Sequence, residues 1–142
     1  MSFELGLRVY YEDTDAGGIV YYANYLKFME RARTEALLAL GMSQTAVRER
    51  LRVVFAVRSV SVDYLAPARL EDQLVVTAAV VAIGGPRIEI RQEVRRGEAV
   101  LVKARVVLVC IATEGRAAGR ATRIPEEVRR VLAGLMEPEG RP

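Results

Sequence analysis

The chain predicts an α+β fold in which one long helix packs on a curved antiparallel sheet of five or six strands, all in a single domain of 142 residues. Three observations lead there. A long stretch from Asn24 to Leu40 repeats apolar residues at helical spacing. Four runs between about Arg52 and Ala112 are apolar or alternate with the two-residue period of a strand. The breaks between those runs are short and carry glycine or proline, and strands joined by such turns are mostly antiparallel.

In chain order, Leu5 to Tyr11 (LGLRVYY) reads as a first strand with Leu5, Leu7 and Val9 on one face. An acidic knot follows, Glu12, Asp13 and Asp15, and then Gly17-Gly18, a pair that lets the backbone turn sharply. Asn24 is the candidate N-cap of the helix. Tyr25, Phe28, Met29, Ala32, Ala36, Leu37 and Leu40 form its apolar stripe, and Lys27, Glu30, Arg31, Thr34 and Glu35 its polar side. Arg31 and Glu35, one turn apart, are placed to pair. Gly41 suits the C′ position that ends a helix. Ser43 to Arg50 reads as a polar connection with at most a helical turn.

The strand runs come next. Val53 to Tyr64 begins apolar and then alternates, setting Val60, Val62 and Tyr64 against Ser59, Ser61 and Asp63; Ala66-Pro67-Ala68 breaks it. Gln73 to Ile83 is the second run. Gly84-Gly85-Pro86 turns the chain into Arg87 to Arg95, where Ile88, Ile90 and Val94 oppose Glu89, Arg91, Glu93 and Arg95. Arg96-Gly97 leads into Ala99 to Ile111. A strand of that length at a sheet edge would have to be paired or covered, which argues for association. A Gly/Ala/Arg-rich connector then reaches a short C-terminal helix at about 125–134, with Pro125 in its first turn and Glu126 and Glu127 at its positive end.

Composition narrows the chemistry. Hydrophobic residues at 51% and charged residues at 27% describe an ordinary globular protein. No apolar run is long enough to insert into a membrane, and the N-terminus lacks the pattern of a secretory signal. A cytoplasmic protein is the expectation. A net charge of +3 without a basic, aromatic-interleaved run gives no reason to expect nucleic acid. The single cysteine, Cys110, excludes an internal disulfide and any multi-cysteine metal site, and its apolar run makes it a buried strand residue. Histidine is absent. Catalysis through a histidine base and histidine-ligated zinc are therefore both ruled out, which leaves carboxylates, hydroxyls, lysine and backbone amides. No metal and no cofactor are expected.

Carboxylates set close to the free amide groups of a helix start form an arrangement that can do chemistry. Asp13 and Asp15 also suit turns on their own account, because aspartate bonds its own backbone there.

The stretch YYEDTDAGGIVYYANYLKFMERARTE resembles the signature of the hotdog-fold acyl-CoA thioesterases, in particular the 4-hydroxybenzoyl-CoA thioesterase group and its bacterial branch associated with the Tol-Pal envelope system. VDYLAPARLEDQLVV and TRIPEEVRRVL are similar to the same branch. The resemblance implies a hotdog fold, a long helix wrapped by an antiparallel sheet. It implies homo-oligomers whose active sites lie at a dimer interface, with dimers assembled into tetramers. It places the catalytic acid on Asp15 and the carbonyl-polarising backbone amide on Tyr22. It also implies a substrate that is an acyl-CoA, or an acyl group on an acyl carrier protein. Many members of the branch carry histidine where this chain has Tyr22; the backbone role does not depend on that side chain. Gly18, Ser59 and Ser61 are further candidate substrate contacts, and Arg58, Arg69 and Arg87 are candidates for the CoA phosphates. The alternatives are a hydratase or dehydratase of acyl thioesters, which chemistry usually rests on histidine, and a non-catalytic module that binds carrier protein or envelope partners.

Overall fold

A computed structural model describes residues 2–137 of the chain. Its elements in order are β1 (Phe3–Arg8), a single 3-10 turn (Tyr11–Asp13), α1 (Asn24–Ala39), α2 (Gln44–Leu51), β2 (Val53–Tyr64), β3 (Gln73–Gly84), β4 (Arg87–Arg96), β5 (Ala99–Ala112) and α3 (Glu126–Ala133). The strands form one antiparallel sheet of five in the spatial order β1-β3-β4-β5-β2. Sheet and helices together are the α+β hotdog arrangement.

Helix α1 lies across β3 and β1 and touches β4 more lightly. It buries Tyr25, Phe28, Met29, Ala32 and Ala36 as the stripe predicts, each large side chain contributing about 1.5–3 kcal/mol. Leu37 is only half-buried and Leu40 is exposed, so the stripe ends a turn early. Asn24 is not the N-cap. Ala23 holds that position, and Asn24 is the first helical residue, its side-chain amide donating 2.9 Å to the Asp13 carbonyl. The other end closes as Gly41 predicts. At φ 81° it lets Gly41 N–H reach the Leu38 carbonyl (3.0 Å) and Met42 N–H the Leu37 carbonyl (2.9 Å), the paired bonds of a Schellman motif. Arg31 stands with its guanidinium carbon 6.0 Å over the Phe28 ring, not against Glu35.

Three other expectations shift. The first strand starts two residues earlier and stops at Arg8, with Tyr11 to Asp13 coiled into the 3-10 turn. The polar connection is a full two-turn helix, α2, capped by Ser43, whose Oγ accepts from Ala46 N–H at 3.0 Å. Pro125 is the N-cap of α3 and not part of its first turn. Arg50 on α2 pairs with Glu127 on α3.

Strand β5 is interior, between β4 and β2, so the edge argument belongs to β2 instead. Along β2 the apolar phase slips by one. Val57 pairs with Leu108 and Ser59 with Val107, leaving Arg58 as a bulged extra residue. Val53, Phe55 and Val57 before it, and Val60, Val62 and Tyr64 after it, thereby share the face that carries Val106, Ala104 and Val102 of β5. Similar shifts at Val80/Ala82 and Val94/Arg95 bend the other ladders, and such bulges supply curvature.

Among the described residues the buried polar side chains are Thr77 and Gln92. Gln92 is 0% exposed. Its amide donates to the Met29 carbonyl of α1 (3.0 Å) and the Thr77 carbonyl of β3 (3.1 Å), and its oxygen accepts from Arg33 at 2.9 Å. It is a polar bolt between helix and sheet. Cys110 is buried as expected, and loss of solvation pushes its thiol up to about 11.

Candidate active site

The acidic knot and the start of α1 form one tightly bonded hairpin. Thr14 bridges Val20, and Asp15 N–H donates to the Ile19 carbonyl at 2.9 Å. Gly18 N–H returns to the Asp15 carbonyl at 3.0 Å, closing a turn in which Gly18 takes φ 80°. That conformation suits glycine and strains other residues. Gly17 N–H donates 2.8 Å to Asp15 Oδ1, and a Cβ on Gly17 would stand 3.2 Å from the same oxygen. The carboxylate is thus exposed and fixed by one oxygen, while Oδ2 has no hydrogen-bond partner among the described residues.

Asp13 does a different job. Its side chain accepts from Tyr10 N–H (2.8 Å), and its carbonyl accepts both Tyr21 N–H (3.0 Å) and the Asn24 amide (2.9 Å). These bonds clamp the hairpin to the first turn of α1. Glu12 is exposed.

Tyr22 comes just before the helix. Among the described residues its N–H has no acceptor, while its carbonyl accepts from the Tyr64 hydroxyl at 3.2 Å. The Tyr64 ring meets the Tyr22 ring edge-on at 6.1 Å and lies 5.7 Å from that of Tyr25. Burial raises the Tyr64 hydroxyl above its ordinary value, with a smaller contribution from Tyr22, so it remains a donor at neutral pH.

A second turn, residues 67–72, braces the hairpin from outside. Val20 N–H donates to the Ala68 carbonyl (2.9 Å), Ile19 bridges Arg69, and Ala68 N–H donates to the Tyr25 hydroxyl (3.1 Å). Asp72 holds this turn, accepting from Arg69 N–H (2.8 Å) and from Arg96 (2.7 Å). Partial burial opposes ionisation of Asp72, but the Arg69 amide and the Arg96 guanidinium outweigh it and keep the carboxyl below its ordinary value. A carboxyl so depressed adds stability that is fully present above its unfolded pKa of about 4 and is shed as pH falls through the lower folded value. Asp72→Asn is therefore expected to lower the urea midpoint at pH 6, with the gap to the parent narrowing toward pH 3. A gap that is constant with pH would show that the charge of Asp72 contributes nothing.

An apolar cavity of about 240 Å³ lies under the C-terminal half of α1. Ala36, Val47, Phe55, Val80, Ile90 and Leu132 are among its walls, and Val57, 50% exposed, also borders it. Ser59 and Ser61 do not line it. They pair with Val107 and Arg105, and so stand exposed on the face of the sheet turned away from α1.

The structure therefore brings Asp15, Gly18 and Tyr22 into one rigid unit and leaves the two serines apart from it. Sequence reasoning did not find Tyr25, Tyr64 and Asp72 as supports. Tyr64 and Asp72 are separated from the hairpin in sequence, and Tyr25, though near it, acts on the remote Ala68; only VDYLAPARLED, read as a motif without roles, pointed to the former two.

The comparisons with known proteins agree with this architecture. The family model described as the Thioesterase superfamily matches residues 17–107. An acyl-CoA thioesterase, YbgC, from Haemophilus influenzae is 43% identical over 110 residues, covering 78% of this chain and 81% of the relative. A 1,4-dihydroxy-2-naphthoyl-CoA hydrolase from Nostoc punctiforme is 34% identical over 128 residues, covering 90% and 84%. The crystal structure of a probable thioesterase from Bartonella henselae superposes with a TM-score of 0.81 at 31% identity, covering 88% of this chain and all of that one. Fold and matches make this chain a member of the thioesterase superfamily, an enzyme that hydrolyses thioesters on a hotdog scaffold. Within that superfamily it is YbgC-like.

Proposed function

We propose that the enzyme hydrolyses acyl-CoA thioesters to the free acid and CoA, with Asp15 as the catalytic carboxylate and the Tyr22 N–H as the oxyanion donor. One observation carries this reading. An exposed, half-bonded carboxylate and an unclaimed amide at a helix start share a single braced hairpin. The amide polarises the thioester carbonyl. Oδ2 of Asp15 then either attacks the carbonyl carbon, giving a mixed anhydride and releasing the thiolate, or takes a proton from a water that attacks in its place. In the first route water hydrolyses the anhydride and restores the carboxylate. Neither route calls for a metal or cofactor. The free edge of β2, flanked by exposed Val57, Val60 and Tyr64, supports a homodimer paired through that edge, and the assembly of such dimers into a tetramer is what the resemblance implies. Among the described residues no helix is long and apolar enough to cross a membrane, in keeping with a cytoplasmic enzyme.

The test is thiol release from acetyl-, octanoyl-, palmitoyl- and benzoyl-CoA. Turnover of at least one supports the reading, and failure of all four alongside turnover of an acylated carrier protein would move the substrate to the carrier. The cavity is the natural seat for an aliphatic tail. Val57→Trp, which fills its border from an exposed position, is expected to lower kcat/KM for palmitoyl-CoA about 10-fold while leaving acetyl-CoA near the parental value. Equal effects on both would remove the cavity from the substrate path.

A further inference from the structure

We infer that Asn24 is a positioning residue for the hydrolysis, holding the Tyr22 N–H in place relative to the Asp15 carboxylate, an assignment that rests on the catalytic reading of those two groups above. Nothing local calls for asparagine at this point. It is the only asparagine of the chain. It stands at the first helical position, one residue past the N-cap, and inside a helix asparagine is a poorer choice than alanine or glutamate. Its side-chain bond leaves the helix altogether, the amide donating 2.9 Å to the Asp13 carbonyl. Asp13 lies two residues before Asp15 in the same hairpin and is itself fixed by the bond from Tyr10 N–H to its carboxylate (2.8 Å).

The backbone of Asn24 supplies a second arm. Its N–H donates 2.8 Å to the Tyr21 carbonyl. That carbonyl and the Tyr22 N–H belong to one planar peptide group, so holding the first sets the direction of the second. Tyr21 and Tyr22 together carry four backbone polar groups, and three are engaged among the described residues. The Tyr21 N–H is held by the Asp13 carbonyl (3.0 Å), the Tyr21 carbonyl by Asn24, and the Tyr22 carbonyl by the Tyr64 hydroxyl (3.2 Å). The fourth is the Tyr22 N–H, the group assigned to the oxyanion.

The two arms close a frame between hairpin and helix. The bond from Tyr21 N–H to the Asp13 carbonyl is by itself a single point about which the helix start can pivot. The Asn24 amide on the same carbonyl adds a second point and removes that freedom. Such rigidity matters because an oxyanion donor works only over a narrow range of distance, and a displacement of about 1 Å can cost about 10²-fold in rate. Asn24 bonds neither Asp15 nor the Tyr22 N–H directly. It acts on both through the groups beside them.

The test measures kcat, KM and the urea midpoint of the parent, Asn24→Ala and Asn24→Asp proteins, and of Asn24→Ala combined with Asp15→Asn. The substrate is whichever of acetyl-, octanoyl-, palmitoyl- and benzoyl-CoA the parent turns over fastest. Asn24→Ala is expected to lower kcat about 10-fold or more. Its KM and urea midpoint should stay near the parental values, because the helix propensity of alanine offsets the lost bond. Asn24→Asp keeps the size of the side chain but sets a carboxylate against the Asp13 carbonyl, so its kcat should fall at least as far. Positioning also predicts that the effects do not add: in the Asp15→Asn protein, Asn24→Ala should cost less than about 2-fold, since the carboxylate it aligns is gone. A parental kcat in both single variants, a loss carried by KM or by the urea midpoint instead, or full additivity with Asp15→Asn would each overturn the assignment. Failure of the catalytic reading itself shows separately, as full activity in Asp15→Asn.

Discussion

Asp15→Asn is expected to abolish at least ~10² of the thioester hydrolysis rate, the usual contribution of a positioned acid or base. The substitution is close to isosteric, and an asparagine oxygen can still accept the Gly17 N–H that Asp15 Oδ1 accepts at 2.8 Å. The turn should therefore survive, and the urea midpoint should stay near that of the parent. What is lost is the charge on the free oxygen, and with it the nucleophile or base. Full activity in a folded Asp15→Asn protein would end the assignment. If activity is lost, single turnover of the parent in ¹⁸O-labelled water separates the two routes: label entering the Asp15 carboxyl marks the anhydride, and label in the released acid alone marks an oriented water.

Gln92→Leu is expected to give the largest loss of stability, about 2–4 kcal/mol, with the slope of the urea transition unchanged. The leucine fills similar space, so the loss is of bonds and not of volume. Two carbonyls in a closed core lose a donor, and Arg33 loses its acceptor. Arg33 is partly buried, and loss of solvation already lowers its pKa. Adding Arg33→Met to Gln92→Leu should recover part of the loss, because removing both partners costs less than stranding one. A loss below about 1 kcal/mol would mean that water readily replaces Gln92.

Most of the secondary structure was legible in the sequence because it rests on periodicity. The α1 stripe and the limits of β2, β3, β4 and β5 depend on side-chain spacing within one segment, and that information is local. Asn24 shows where local reading stops. Its type fits an N-cap, yet its amide is drawn to the Asp13 carbonyl across the hairpin, a bond that exists only once the chain has turned. Gln92 was passed over for a similar reason: one amide in an otherwise apolar strand face says nothing until Met29, Thr77 and Arg33 surround it. The order of the strands was also hidden. Four consecutive runs separated by turns suggest a simple meander, but β2 pairs with β5 and leaves its other side open. At the site, the spacing of Asp15, the glycines and Tyr22 was readable as a motif. The bracing by Tyr25 and Tyr64 joins groups more than forty residues apart in sequence, and Asp72 ties its own turn to Arg96 on a different strand; no periodicity announces either.

The extra residue at position 58 sets a counting rule for the edge of the sheet. With Arg58 set aside as the bulge, residues before and after it alternate in opposite parity, odd numbers inward up to Val57 and even numbers inward from Val60. Loss of that one residue would set Val57 and Val60 two positions apart, so that Val53, Phe55, Val57, Val60, Val62 and Tyr64 would share one face in a straight ladder with no bulge. Loss of a different single residue with the bulge kept would turn one half of the strand over, whereas loss of two neighbouring residues would preserve the alternation. Descendants of this chain are thus free to change the length of β2 in steps of two, and a single-residue change must be matched by the gain or loss of a bulge.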